Sequence, residues 1–219
     1  MVKMSYKLAV FDMDGTILNT LQDITNAINY ALRENGYPER TIDEVRFFVG
    51  NGLHKLVERA VPAAAGDEDI ERVFETLIPY YRAHSADTTK PYDGIAELLA
   101  KLKSAGVKCA VVSNKANAAV GDLVKDYFDG LFDMWLGESP EIAKKPAPDM
   151  TKKVLQTLGF KESEAVYIGD SDVDIMTARN SGLDEILVDW GFRSREFLKE
   201  HGAKRIVSST EEVFELITE

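Results

Sequence analysis

The sequence contains little cysteine, little histidine and no long apolar run. Among its 219 residues there is one cysteine, Cys109, in the apolar run VKCAVVS. It cannot form an internal disulfide, and core packing is its expected role. No apolar stretch is long enough to span a bilayer, and MVKMSYKLAVF lacks the apolar segment of a signal peptide. These features predict a cytoplasmic protein.

Positive charge is also scarce. The chain has 26 Lys and Arg against 37 Asp and Glu, a formal net charge of −11. Non-specific binding to nucleic acid or to an anionic membrane requires a basic surface, so we expect neither partner. An anionic substrate would need local cations or a metal ion. Hydrophobic residues make up 45% of the chain, which is enough for a sizeable core, and either a monomer or a homodimer is compatible with the sequence.

Short apolar runs alternate with helical patterns through most of the chain. The runs typical of strands are YKLAVFD, VKCAVVSN, FDMWLG, AVYIGD, EILVD and RIVSS. Helices are predicted from an N-cap at Asp93 to Gly106, from Pro148 to Gly159, and from Asp172 to Ser181 with Gly182 after it. Several of the strand runs are apolar throughout, as expected for strands covered on both faces. The pattern predicts an α/β fold with a parallel sheet and helices on both faces.

The segment from Leu21 to Ala83 interrupts this alternation. It carries three apolar stripes with helical spacing, and Thr41 with Glu44 matches the capping box of a further helix. The polar stretch HSADTTKPYDG that follows suits a linker. We therefore predict an α/β core formed by residues 1–18 and 84–219, with an all-helical cap domain of residues 19–83 inserted after the first strand.

Acidic side chains follow two of the predicted strands. In VFDMDGTILNT an apolar run ends in Asp12 and Asp14, and AVYIGD ends in Asp170, with Asp172 and Asp174 close behind. In parallel α/β sheets, ligands bind beyond the carboxyl ends of the strands. Clustered carboxylates repel one another unless a cation joins them, and Mg²⁺ prefers oxygen ligands. An ordinary solvated strand end is the alternative for either stretch taken alone.

Further polar residues lie at the end of another predicted strand, on the same edge, and before a predicted helix. The run VKCAVVSN ends in Ser113 and Asn114, a hydroxyl and an amide. Lys144 and Lys145 precede Pro146, where a lysine could neutralise both a phosphate and a carboxylate. Only Lys145 lies directly before the proline, so we prefer it to Lys144. A solvated surface charge is the alternative for a single lysine.

Four short motifs, taken together in their order, resemble those of the haloacid dehalogenase-like superfamily. They are Asp12-Met13-Asp14-Gly15-Thr16, Val111-Val112-Ser113-Asn114, Lys145-Pro146-Ala147-Pro148-Asp149 and Gly169-Asp170-Ser171-Asp172-Val173-Asp174. The resemblance covers the whole chain and is to the phosphatase branch with a helical cap after the first strand. It implies a Rossmann-like core. FFVGNGLHKLVERAV and GTILNTLQDI add a narrower similarity to phosphoglycolate phosphatase-like proteins.

The resemblance implies a Mg²⁺-dependent hydrolase of a small phosphorylated metabolite. Asp12 would attack phosphorus and form an aspartyl-phosphate intermediate. Asp14 would protonate the leaving oxygen and then deprotonate the attacking water. The metal would be bound by the side chains of Asp12 and Asp170 and by the backbone carbonyl of Asp14. Asp174 is a fourth candidate at the metal site, acting through water or through Lys145.

The resemblance also implies how the substrate would be bound. Ser113 and the backbone N–H of Asn114 would hold phosphoryl oxygens, and Lys145 would offset negative charge. The cap would close over the site, exclude water and select the leaving group. Its candidates for substrate binding are Asn51, Gly52, His54 and Lys55, at a glycine-rich turn before a helix. His54 is equally well explained as an ordinary surface or half-buried histidine.

Other functions share part of this pattern. A phosphomutase of the β-phosphoglucomutase type has the same motifs and cap but needs a bisphosphate activator, and a pyrophosphatase fits the same carboxylate site. A response-regulator-like phosphoacceptor domain also combines acidic residues, a hydroxyl and a lysine. Such a domain carries its phosphorylated Asp on a middle strand and has no helical insert. A dehalogenase would not need Asp14. The physiological phosphate ester is not determined by the sequence.

Overall fold

The computed structural model describes residues 6–219. Along the chain its elements are β1 (Leu8–Phe11), β2 (Leu18–Asn19), α1 (Leu21–Glu34), α2 (Ile42–Phe48), α3 (Leu53–Ala60), α4 (Asp67–His84), β3 (Lys90–Pro91), α5 (Ile95–Ser104), β4 (Lys108–Ala116), α6 (Asn117–Phe128), β5 (Met134–Glu138), α7 (Asp149–Leu158), β6 (Ala165–Gly169), α8 (Asp172–Ser181), β7 (Asp184–Val188), α9 (Arg195–Glu200), β8 (Ile206–Val207) and α10 (Thr210–Thr218). None of the helices within these residues has both the length and the apolar character needed to cross a membrane.

The main sheet has six strands in the order β5-β4-β1-β6-β7-β8, and its neighbouring strands are parallel. Each of the six apolar runs contributes one of these strands. Alternate residues of β1 belong to different cores, with Ala9 and Phe11 in one and Leu8 and Val10 in the other. Because side chains alternate along a strand, the sheet is covered on both faces. The predicted α/β fold is confirmed.

Helices on the two faces supply the apolar partners of the sheet. Side chains of α5, α6 and α10 pack into the core that contains Phe11, and those of α7 and α8 pack into the core that contains Val10. The helices α7 and α8 end at Gly159 and Gly182, both left-handed, as predicted. The N-cap of α5 is Gly94, not Asp93. The backbone at this position has a φ of 81°, a left-handed conformation that favours glycine.

The strand register brings the carboxyl ends of three strands together. Phe11, the last residue of β1, pairs with Val111 of β4 and with Ile168 of β6. The next residue, Asp12, donates its N–H to the Ile168 carbonyl at 2.8 Å. The strand order reverses at β1, since β4 and β5 lie on one side of it and β6 to β8 on the other. Ligands of parallel α/β sheets bind beyond the carboxyl ends at such a point.

The chain divides into two compact units, Met1–Leu18 with Pro91–Glu219 and Asn19–Lys90. The second unit contains α1 to α4, and Thr41 forms the predicted capping box with Glu44 at the start of α2. The boundary lies at 90/91, seven residues later than the one predicted at 83/84. One reason is Asp23 of α1, whose carboxylate accepts hydrogen bonds from Thr88 and Thr89 at 2.6–3.0 Å.

Candidate active site

The centre of the site is an ammonium group between two carboxylates. Asp12 follows β1 directly, and Lys145 Nζ lies 2.7 Å from its Oδ1. Nζ also donates to Asp174 Oδ1 at 2.9 Å and to the Tyr167 hydroxyl at 3.2 Å. Lys145 is only 3% exposed. The three N–H bonds of the ammonium therefore match three acceptors that the protein provides.

Asn114 holds the backbone of this lysine. Its Oδ1 accepts from the Lys145 N–H at 2.8 Å, and its Nδ2 donates to the Lys145 carbonyl at 3.0 Å. The sequence predicted a role only for the backbone N–H of Asn114. The two side-chain hydrogen bonds connect β4 to the loop that carries Lys145. Lys144 lies away from this contact, with its Nζ 3.7 Å from Glu138.

Asp170 lies beside Asp12 at the end of β6. Its Oδ2 accepts from the Phe192 N–H at 2.7 Å, and its Oδ1 accepts from the Thr16 hydroxyl at 3.2 Å. Gly15 makes this approach possible, because a Cβ at that position would lie 2.3 Å from Asp170 Oδ2. The backbone of Gly15 also has a φ of 85°, which favours glycine. Two independent features thus require glycine after Asp14.

Asp174, in the first turn of α8, completes the acidic cluster. Ligand oxygens of Asp12, Asp170 and Asp174 lie within 4.8 Å of one another, and all three residues are buried. The Oδ2 of Asp174 accepts from the Ser171 hydroxyl at 2.6 Å and from the N–H groups of Ser171 and Asp170 at 3.1 and 3.2 Å. Its Oδ1 faces Lys145. Both oxygens of Asp174 therefore already have protein donors.

Burial and mutual repulsion raise the pKa values of two carboxylates in the cluster. Burial raises the pKa of Asp12 well above its usual value, and Asp174 adds to this, while Lys145 opposes it. Burial also raises the pKa of Asp170 to about 7, again helped by Asp174. Burial alone would lower the pKa of Lys145, but Asp12 and Asp174 raise it well above its usual value. Lys145 contacts Asp12 and Asp174, and Arg193 opposes the rise in the pKa of Asp170. The three buried carboxylates form a donor set that fits a divalent cation with oxygen ligands.

Asp14 has a different partner from Asp12. The ammonium of Lys115 lies 3.3 Å from Asp14 Oδ1, and the Lys115 side chain is only 4% exposed. Lys115 is not among the site residues predicted from the sequence. Its position next to Ser113 and Asn114 at the end of an apolar strand was the available signal. The two aspartates of the first motif therefore lie in separate ion pairs.

A comparison with known proteins identifies the family of this chain. Residues 9–188 match the family model described as haloacid dehalogenase-like hydrolase. The chain belongs to this family. The membership confirms the resemblance drawn from the four motifs.

Named relatives of this hydrolase cover most of its length. It is 34% identical over 203 residues to a phosphoglycolate phosphatase of Caulobacter vibrioides, covering 91% of this chain and 85% of the relative. A phosphoglycolate phosphatase of Aquifex aeolicus is also 34% identical, over 191 residues, covering 85% of this chain and 86% of that protein.

Solved structures agree with these matches. A candidate phosphoglycolate phosphatase of Lactobacillus delbrueckii subsp. bulgaricus has a TM-score of 0.95 at 43% identity, covering 98% of this chain and 99% of its own. A haloacid dehalogenase-like hydrolase of Streptococcus pneumoniae has a TM-score of 0.87 at 26% identity, covering 96% and 97%. The fold of this hydrolase is therefore shared along nearly its entire length.

Ser113 lies next to this centre in the hydrolase. Its side chain is buried, and its Oγ accepts from the Lys115 N–H at 3.2 Å. Because Phe11 pairs with Val111, Ser113 lies only one residue beyond the level of Asp12. The hydroxyl therefore belongs to the same sheet edge as the carboxylates.

The predicted substrate-binding residues lie in the helical unit. Gly52 is the N-cap of α3, with a φ of 88°. Asn51 Oδ1 accepts from the Arg59 guanidinium at 2.8 Å, and the same guanidinium donates to the Phe48 carbonyl at 2.7 Å. Arg59 thus fixes the turn between α2 and α3. A role of Asn51 and Gly52 in substrate binding stays a prediction.

His54 connects two helices of this unit. Its Nδ1 lies 3.1 Å from Glu58 Oε1 on α3, and its Nε2 lies 2.8 Å from Glu71 Oε1 on α4. Lys55 also contacts Glu58, and the ring packs edge-on against Phe74. These contacts account for His54 within the unit, and its role in substrate selection stays a prediction.

The His54 contacts predict a pH dependence of stability. Hydrogen bonds from His54 to Glu71 and Glu58 raise its pKa in the folded state, against the effect of burial. The stabilisation is therefore complete below the unfolded value, about 6.5, and is lost as the pH rises through the folded value. We expect His54→Gln to lower the Tm more at pH 5.5 than at pH 8.5. His201→Gln is the control, and a pH-independent difference would contradict the prediction. Scanning calorimetry gives the measurement.

Proposed function

We propose that this hydrolase is a Mg²⁺-dependent phosphatase that releases phosphate from a small phosphomonoester, with phosphoglycolate as the leading substrate. The observation that carries the proposal is the buried contact of Asp12 with Lys145 beside Asp170. A carboxylate that faces an ammonium and shares a site with further carboxylates suits nucleophilic attack on a phosphate. The names of the relatives support the substrate class.

Asp12 is the nucleophile in this proposal. Its Oδ1 is held by Lys145 at 2.7 Å and by the Met13 N–H at 2.6 Å, so we assign the attack on phosphorus to Oδ2. The attack forms an aspartyl-phosphate and releases the alcohol. Lys145 reduces the repulsion between Asp12 and the phosphate, which amounts to several kcal/mol at contact for an effective dielectric of about 20.

The metal would be held by Asp12 and Asp170, with the Asp14 backbone carbonyl as a third donor. When bound, Mg²⁺ supplies positive charge that favours the ionised carboxylates and offsets the charge of the phosphoryl oxygens. Asp174 acts indirectly, because its two oxygens hold Lys145 and Ser171. Its proposed role is to orient Lys145.

The remaining residues handle protons and phosphoryl oxygens. Asp14 donates a proton to the leaving oxygen and later accepts one from the attacking water. The Ser113 hydroxyl and the Asn114 N–H bind phosphoryl oxygens and hold the group in line with Asp12. These donors lie on β4, which pairs directly with the strand that carries Asp12. Catalysis thus consists of positioning and charge neutralisation.

The helical unit, Asn19–Lys90, is the proposed cap. It would exclude water and select the leaving group, with Asn51, Gly52 and His54 as candidates. A cytoplasmic location also remains a prediction, as does the choice between monomer and homodimer. With a net charge of −11, neither nucleic acid nor an anionic membrane is an expected partner.

Metal removal tests the proposal. We expect excess EDTA to abolish phosphate release from phosphoglycolate and Mg²⁺ to restore it. By calorimetric titration, Asp170→Asn should weaken Mg²⁺ binding by more than about tenfold, because it removes a ligand charge. Asp126→Asn is the control, since Asp126 is an exposed carboxylate on α6 outside the buried cluster. Full activity in excess chelator would exclude a metal-dependent mechanism, and an isomer released without phosphate would indicate a mutase.

A further inference from the structure

Lys115 is a buried lysine beside the site that has no role in the proposed mechanism. It lies near the end of β4, one residue after Asn114, and its side chain is 4% exposed. A lysine so deeply buried is uncommon unless it is paired with an opposite charge. The carboxylate it faces is Asp14, with Nζ 3.3 Å from Oδ1.

Asp14 is the residue that requires this ion pair. Its Oδ1 is buried and has no hydrogen-bond partner among residues 6–219, so the contact with Lys115 is an ion pair without hydrogen-bond geometry. A buried carboxylate oxygen costs free energy unless a donor or an opposite charge accompanies it. The rest of the Asp14 side chain reaches solvent, with 23% of its surface exposed. Without the ammonium, solvation would favour turning the carboxylate outward.

The backbone around Lys115 is fixed by its neighbours. Its N–H donates to Ser113 Oγ at 3.2 Å. A Cβ at Gly137 on β5 would lie 2.5 Å from the Lys115 carbonyl oxygen, so the two strands approach closely. Asn117 accepts from the Gly137 N–H at 2.9 Å and holds the same contact. Lys115 is thus directed at Asp14 from an ordered strand end.

We propose that Lys115 is a positioning residue that holds Oδ1 of Asp14, so that Oδ2 exchanges the proton during both half-reactions. The inference rests on the proposed function, because it takes Asp14 as the acid and base. In the first half-reaction the Asp12–phosphorus bond forms, the phosphorus–ester oxygen bond breaks, and the Asp14 proton moves to the leaving oxygen. In the second, water forms its bond to phosphorus, the Asp12–phosphorus bond breaks, and a water proton moves to Asp14.

The test compares two phosphate esters with different leaving groups. Ethyl phosphate needs a proton on its leaving oxygen, whereas nitrophenyl phosphate needs little help. We expect Lys115→Met to slow phosphoenzyme formation from ethyl phosphate by about tenfold or more, and from nitrophenyl phosphate by less than about threefold. Lys115→Arg, which keeps the charge, should recover most of the rate. The esters are labelled in their phosphate group, and rapid acid quench measures the label bound to the protein. This reports the first step alone.

A double variant shows whether Lys115 acts through Asp14. In the Asp14→Asn background, adding Lys115→Met should change either rate by less than about threefold, because no carboxylate remains to be oriented. The proposal would be overturned if Lys115→Met slowed phosphoenzyme formation equally from the two esters. It would also be overturned if Lys115→Met had its full effect on the rate in the Asp14→Asn background. Lys115→Gln replaces Lys115→Met if Lys115→Met does not fold. If the proposed function itself were wrong, the wild-type protein would form no phosphoenzyme, so the two failures can be distinguished.

Discussion

Asp12→Asn is expected to abolish turnover, and Asp14→Asn is expected to accumulate phosphate on Asp12. The two carboxylates follow the same strand but lie in different ion pairs, Asp12 with Lys145 and Asp14 with Lys115. An asparagine at position 12 cannot attack phosphorus, so no phosphoenzyme forms. An asparagine at position 14 leaves the nucleophile in place and removes only the acid and base.

The leaving group decides what the Asp14 variant does first. With a nitrophenyl ester the aspartyl-phosphate still forms, because the leaving phenolate needs little protonation. Its hydrolysis is then slow, since loss of general acid–base help typically costs about 10²–10⁴-fold. The trapped phosphate is measured by mass spectrometry of the intact chain after rapid acid quench.

Asp126→Asn is the control for both variants, since Asp126 is an exposed carboxylate on α6 outside the buried cluster. It should keep wild-type turnover. If Asp12→Asn and Asp14→Asn retained equal residual turnover and no phosphoenzyme formed in any variant or in wild type, water would attack phosphorus directly. Asp12 would then serve only as a metal ligand.

The fold was largely predictable because its signals are local. The six apolar runs correspond to the six parallel strands. Glycine at positions 159 and 182 correctly predicted the ends of two helices. The boundary near residue 90 was not predictable in this way. It depends on Asp23, whose partners Thr88 and Thr89 lie more than sixty residues away in sequence. Such contacts leave no periodic pattern.

The site was predictable to the extent that strand ends carry it. The structure brings together four of the predicted residues, Asp12, Asp170, Asp174 and Lys145. Each of them follows the carboxyl end of a strand of the same parallel sheet. Residues that support them were missed. Tyr167 looks like a core residue within AVYIGD, yet its hydroxyl accepts from Lys145 at 3.2 Å. This contact joins two elements that are distant in the sequence, and composition and spacing do not encode it.

Lys145→Met is expected to destabilise the protein strongly and to remove most of its activity. The substitution leaves Asp12 and Asp174 buried and facing each other without their shared cation. Breaking a buried ion pair by removal of one partner typically costs about 3–5 kcal/mol. Loss of a charged donor to the phosphate should lower kcat by about 10²–10³-fold or more. Lys144→Met is the matched control, and we expect it to stay within about 0.5 kcal/mol of wild type, because that ammonium is exposed.

The destabilisation should grow with pH. The pKa of Asp12 is already raised by burial and by Asp174, and removal of Lys145 takes away the group that opposes the shift. A carboxyl whose folded pKa is raised binds more protons in the folded than in the unfolded state, so stability falls as the pH rises above about 4. Urea unfolding in EDTA should therefore show a larger loss at pH 8 than at pH 5.

A second substitution separates charge from packing. Asp174→Asn in the Lys145→Met background removes one of the two facing carboxylates, and we expect it to recover part of the lost free energy of unfolding at pH 8. The recovery should be smaller at pH 5, where the remaining repulsion is relieved by protonation. A loss that is equal at both pH values and unchanged by Asp174→Asn would mean that the Lys145 side chain stabilises the fold by packing alone. In that case its ammonium would be free to serve the phosphate, and the role of Asp174 in orienting it would have to be abandoned.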